Sequence, residues 1–134
     1  MSVDAEGQKR TILIAEDEDV VRVMARTSIE SSDYDIIEAA DGGTAWRLAQ
    51  KHKPALILLD VRMPVLSGLD VCRLVRGDAT LAQTRIILMS ASAHPSEIAE
   101  GIAEGADQYL TKPFSPIALL EMVRELLRRP GDGS

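Results

Sequence analysis

The feature that most constrains this chain is a regular alternation of two kinds of segment. Five short apolar runs, rich in Ile, Leu or Val, occur at Thr11–Ala15, Asp35–Ala39, Ala55–Leu59, Arg85–Met89 and Gln108–Thr111. Amphipathic stretches fill the gaps, near Val20–Ser31, Gly43–His52, Gly68–Arg76, Ser96–Glu104 and Pro116–Arg128. The short runs read as strands and the longer stretches as helices. Strands alternating with helices through short connections predict a parallel sheet covered on both faces. The run Ala55–Leu59 is apolar throughout and suits a central strand. The run Asp35–Ala39 carries charges and suits an edge.

The punctuation agrees. Asp41 is placed to cap the free amides of the second helical stretch. Ser115-Pro116 reads as an N-cap followed by proline at the first helical position. Gly77 and Gly105 follow the third and fourth stretches, where a left-handed residue is wanted. Arg124, Arg128 and Arg129 suit the negative end of the last helix. Residues 1–10 read as a flexible tail and residues 130–134 as a flexible end, leaving residues 11–129 as one domain. The 134 residues are enough for one domain with a buried core.

Composition excludes several classes. The net charge of -6 and the scarcity of aromatic residues argue against direct nucleic-acid binding, which needs clustered cations and stacking platforms. No apolar run approaches bilayer-spanning length, and the first ten residues lack the apolar core of a signal peptide, so a cytoplasmic location without membrane contact is expected. Cys72 is the single cysteine; it has no disulfide partner and reads as a small apolar helix residue.

In an open α/β sheet, ligands bind beyond the carboxyl ends of the strands. Glu16 and Asp17 follow the first run, Asp60 follows the third, Ser90 ends the fourth, and Thr111 leads to Lys112 after the fifth. If those four strands lie side by side, three carboxylates, a hydroxyl and an ammonium converge on one rim. Carboxylates about 4 Å apart repel by about 4 kcal/mol per pair at an effective dielectric near 20. A cation must offset that, and an all-oxygen site favours a hard divalent ion such as Mg²⁺. Such an ion beside a carboxylate nucleophile suits phosphoryl transfer. Each residue also has an ordinary reading. Asp60 can cap a turn, Glu16 and Asp17 can be solvated loop acids or helix caps, Ser90 can bond its own backbone, and Lys112 can be a surface lysine.

The segments ILIAEDED at 12–19, LILLDVRMPVLSGLDVCRLVR at 56–76, IILMSAS at 86–92 and GADQYLTKPF at 105–114 carry a resemblance. Over about Thr11 to Arg129 the chain resembles the receiver domains of response regulators in two-component signalling, the chemotaxis regulators among them. The resemblance implies a flavodoxin-like, doubly wound five-stranded parallel sheet of order 2-1-3-4-5 with five helices. It implies that Asp60 accepts a phosphoryl group from a phosphohistidine of a sensor histidine kinase or phosphotransfer protein. Asp17, Asp60 and the backbone carbonyl of Arg62 would ligate Mg²⁺ (or Mn²⁺), with Glu16 acting mostly through metal-bound water. Ser90 and Lys112 would contact phosphoryl oxygens. Ser90 and Tyr109 would form the switch, reshaping the face made by the fourth helix, fifth strand and fifth helix. Lys112-Pro113 would be a cis peptide, and Gly68 would permit the turn into the third helix. Catalysis would extend only to the domain's own phosphorylation and dephosphorylation.

Three other readings stay open. A flavin-binding flavodoxin needs a phosphate-cradling loop after the first strand, where this chain has Glu-Asp-Glu-Asp. A haloacid-dehalogenase-type phosphatase wants a second acid two residues after its nucleophile, where this chain has Arg62. A pseudo-receiver would act by protein contact without phosphorylation. No output module follows the fifth helical stretch, so the expectation is a stand-alone receiver or one cut from a longer protein. The downstream protein is unassigned, and a homodimer through the switching face is as expected as a monomer.

Overall fold

The computed structural model describes residues 9–31 and 33–128; the flanking tails expected at 1–10 and 130–134, and Arg129, lie outside them apart from Lys9 and Arg10. Its elements in chain order are β1 (Arg10–Ala15), α1 (Asp19–Ile29), β2 (Tyr34–Ala39), α2 (Gly42–His52), β3 (Leu56–Asp60) and α3 (Gly68–Arg76). A short 3₁₀ turn at Ala79–Leu81 is followed by β4 (Arg85–Ser90), α4 (Pro95–Ala103), β5 (Gln108–Thr111) and α5 (Pro116–Leu126). The five strands form one sheet in the order β2-β1-β3-β4-β5, and every pairing is parallel. This is the doubly wound, flavodoxin-like order that the resemblance implied.

Side chains alternate across the sheet and build two cores, because successive residues of a strand point to opposite faces. Leu13, Ile57, Leu59, Ile86 and Leu88 pack with α2 and α3 through Ala45, Ala49, Val71 and Val75. Ile12, Ile14, Leu56, Leu58 and Ile87 pack with α1 and α5 through Ala25, Ile29, Leu119 and Val123. All five residues of β3 are buried, as a central strand requires, whereas β2 at the edge buries only Ala39.

The caps divide into expected and unexpected. The Asp41 side chain accepts from the Thr44 amide at 2.7 Å, and Ser115 accepts from the Ala118 amide at 3.2 Å. Ser67 and Asp70 form a capping box at the start of α3. Neither Glu16 nor Asp17 caps α1: the residue before that helix is Glu18, and it makes no side-chain cap bond. Gly105 has the left-handed backbone expected of it, with φ of 113°, but Gly77 ends α3 at φ of -84°. The left-handed cap at α2 is instead Lys53, with φ of 45°. Helix α5 stops at Leu126, so of the arginines assigned to its last turn only Arg124 lies there.

Candidate functional site

Asp60 is the last residue of β3 and Ser90 the last of β4. Both strands therefore run one residue further than their apolar runs, and both polar side chains are held by the sheet rather than by a loop. The β3–β4 register pairs Asp60 with Met89, and β4–β5 pairs Ser90 with Thr111. The Lys112 amide then donates to the Ser90 carbonyl at 2.7 Å. Glu16 follows β1 directly, and its amide donates to the Ala39 carbonyl at 3.0 Å. Parallel pairing thus brings the ends of β1, β3, β4 and β5 to one rim.

At that rim the Lys112 ammonium lies 3.0 Å from Glu16 Oε1, 3.3 Å from Asp60 Oδ1 and 3.7 Å from Glu18 Oε1. Carboxylate oxygens of Glu16, Asp17 and Asp60 lie within 4.8 Å of one another. Glu16 is fully buried and Asp60 nearly so, while Asp17 is exposed. Burial pushes the Glu16 carboxyl up to about 7, against the opposing pull of the Glu18 amide and the Lys112 ammonium. Burial also raises the Asp60 carboxyl, although Glu16 and Lys112 oppose it. For Lys112, burial works to lower the ammonium's pKa, but the bond to Glu16 and the charge of Asp60 outweigh it and the net shift is upward. One ammonium faces three clustered carboxylates, two of which resist ionising together. That donor set of hard oxygens with unbalanced negative charge fits a divalent metal ion.

The remaining residues singled out from sequence take definite places. The Ser90 hydroxyl is buried and accepts from the Ser92 amide at 3.1 Å. Tyr109 is half-buried, and its hydroxyl donates to the Ser92 carbonyl at 3.1 Å. Both switch candidates therefore hold the same residue of the β4–α4 loop. The Arg62 side chain is exposed, and its amide lies 3.4 Å from Asp60 Oδ1. Lys112-Pro113 is cis. The Gly68 amide donates to the Val61 carbonyl, and a Cβ on Gly68 would sit 2.3 Å from the Asp60 carbonyl oxygen.

Sequence reasoning missed three supports. Arg22, one turn into α1, donates to the Glu16 carbonyl at 2.8 Å while pairing with Asp19 and Glu38, so it anchors the acidic loop to the sheet edge. Its signal was only a basic residue three after an acid on a helix. Gly42 passes so close to the Leu66 carbonyl that a Cβ would sit 1.9 Å from its oxygen, which lets α2 pack under the loop after Asp60. Gly101 in α4 leaves room for Leu88 and Tyr109, at 2.8 and 3.3 Å from a Cβ. These two glycines serve contacts between distant segments, which local pattern does not reveal.

The family model of the response regulator receiver domain matches residues 12–124. This chain belongs to that family. The receiver is 36% identical over 124 residues to the phosphate regulon transcriptional regulatory protein PhoB of Pseudomonas aeruginosa, covering 92% of this chain and 54% of that protein. It is 37% identical over 120 residues to the alkaline phosphatase synthesis transcriptional regulatory protein PhoP of Bacillus subtilis, covering 90% of this chain and 49% of the relative. The receiver thus spans about half the length of these relatives. The chemotaxis protein CheY4 of Vibrio cholerae superposes with a TM-score of 0.82 at 32% identity, covering 90% of this receiver and all of that chain. Like other receivers, this one is a signalling domain of two-component systems, a family in which phosphorylation and magnesium are general. Among the described residues no helix is long and apolar enough to cross a membrane.

Proposed function

We propose that this receiver accepts a phosphoryl group on Asp60 and uses it as a conformational switch. The observation that carries the reading is the Asp60 carboxylate, buried at a strand end, 3.3 Å from Lys112 and clustered with Glu16 and Asp17. An Asp60 oxygen attacks the phosphorus of a phosphohistidine on a sensor histidine kinase or phosphotransfer protein. The new O–P bond forms as the P–N bond breaks, and the imidazole leaves with the electron pair. Asp17, Asp60 and the Arg62 carbonyl would hold Mg²⁺ or Mn²⁺, with Glu16 behind them; the ion, when bound, neutralises charge on the transferring oxygens. Lys112 supplies a further fixed positive charge at the same place. Glu16 holds that lysine in position. Ser90 donates its hydroxyl to the phosphoryl group.

The switch follows from competition for Ser90. Its hydroxyl now accepts from the Ser92 amide. Turning to a phosphoryl oxygen gives up that bond and frees the loop to which Tyr109 is also tied. Movement there reshapes the face of α4, β5 and α5, the surface we assign to a downstream protein or to a second copy of the chain. Hydrolysis of the acyl phosphate within the same site resets the switch, so the domain's catalysis is confined to itself. The acidic balance of the chain favours protein partners over nucleic acid or membrane, in keeping with a cytoplasmic signalling role.

Intact mass after incubation with acetyl phosphate tests this reading, with and without Mg²⁺, on the wild type and Asp60→Asn. The expected result is a metal-dependent gain of one phosphoryl group that the variant lacks. No adduct after rapid quenching, together with no beryllofluoride binding, would leave a pseudo-receiver that acts by contact alone.

A further inference from the structure

The opposite end of the sheet carries a second concentration of charge, of opposite sign. A cleft of about 320 Å³ opens there, lined by Arg10 at the start of β1, Arg85 at the start of β4, Lys53 at the end of α2 and Arg128 beyond α5. Among the described residues that line it there is no carboxylate. The chain as a whole carries a net charge of -6, yet four cations line this one cleft. Asp60 stands at the other end of β3, roughly 16 Å away at about 3.3 Å per residue. The cleft therefore has no part in the acidic site.

Its construction suits a phosphate. Lys53 holds a left-handed backbone, unusual for a side-chain-bearing residue, and its ammonium reaches Thr80 Oγ1 at 3.1 Å. Thr80, Gln83 and Thr84 add polar lining, and Pro54, Leu126 and Leu127 form an apolar wall. Acids flank its lining residues: Asp78 accepts from the Thr80 hydroxyl, and two others pair with its arginines. Asp107 pairs with Arg85 at 3.3 Å but is anchored by Arg76 and by the Ile86 amide. Glu125 meets Arg128 at 3.7 Å, with both side chains more than half exposed. Such exposed pairs are weak and exchange readily for a better acceptor. Arginines and a lysine from separate elements line one cleft, their charges suit the oxygens of a phosphate, and the apolar wall offers a seat for an attached organic group. The volume falls within the range of small-molecule sites, about 300–1,000 Å³.

We propose that this basic cleft binds a phosphate-bearing small molecule, independently of Asp60. Occupancy would tie the end of α5 to the starts of β1 and β4 through shared contacts with the ligand.

Amide chemical-shift titration of the full chain tests it, with AMP and with pyrophosphate as probes, in the presence of a chelator so that the acidic rim repels both. Saturable shifts are expected at Lys53–Leu56 and Thr80–Ile86, and they should persist in Asp60→Asn. Lys53→Ser and Arg85→Ser, both at exposed positions, should each weaken binding about tenfold while leaving the remaining spectrum folded. Tighter binding of AMP points to an organic phosphate seated on the apolar wall; tighter binding of pyrophosphate points to inorganic phosphate. Shifts that do not saturate, that centre on Asp60, or that survive unchanged in both serine variants would overturn the proposal.

Discussion

Glu16 shows how far a single position is governed by its surroundings. In sequence it is one of four consecutive acids; in the fold it is fully buried while Asp17, beside it, is exposed. Its carboxyl rises from an ordinary value of 4.5 to about 7, chiefly through burial. The folded state therefore holds this proton more tightly than the unfolded chain. The resulting stabilisation is complete below the unfolded value and is lost as pH rises toward and through the folded one. Asp60 is raised too and acts in the same direction. In chelator, the thermal midpoint should fall between about pH 5 and about pH 7.5, a slope that Glu16→Gln flattens. Added Mg²⁺ should flatten it as well, by compensating the ionised carboxylates. A midpoint that rises over this range in the metal-free protein would contradict the assignment.

At the scale of elements, the glycines at helix ends differ in what they do. Gly68 opens α3 directly against the Asp60 carbonyl, so an alanine there meets backbone at 2.3 Å and the strand end must move. Gly77 closes the same helix with ordinary right-handed geometry and its nearest neighbours at 3.5 Å or more. Urea denaturation should separate them. Gly68→Ala should cost about 1–3 kcal/mol, as overpacking does, and should slow phosphorylation because it displaces the acceptor. Gly77→Ala should be neutral or gain about 0.4–1 kcal/mol, because it restrains only the unfolded chain. Equal effects at both positions would show that contact with β3 is not what Gly68 supplies.

For the whole molecule, β3 joins the two cores. Ile57 and Leu59 belong to one, Leu56 and Leu58 to the other, and all are fully buried. Damage to either core should therefore be felt by both. Leu58→Ala and Leu59→Ala should each cost about 2–5 kcal/mol. In both variants the fluorescence of Trp46, which packs on the core under α2, should change together with far-ultraviolet circular dichroism. Separate transitions would mean that the two sides of the sheet unfold independently.

The alternation of apolar runs and amphipathic stretches was enough to determine the fold class, the central place of β3 and the edge place of β2. It also placed Glu16, Asp17, Asp60, Ser90 and Lys112 at the same end of the sheet, because in a parallel sheet every strand points its carboxyl end the same way. These are consequences of short-range period and of one topological rule. That their strands lie side by side was implied by the resemblance to receivers and is set by the sheet order. Tertiary structure alone decided what each residue does there. Which acid is buried, that Lys112 grips Glu16 more closely than Asp60, and that Arg22 braces the acidic loop all depend on distances between segments far apart in the chain. So do the close passages at Gly42 and Gly101, and the basic cleft assembled from the starts of two strands and the ends of two helices. Local sequence carries period and propensity, but burial and electrostatic neighbourhood exist only once distant segments have met.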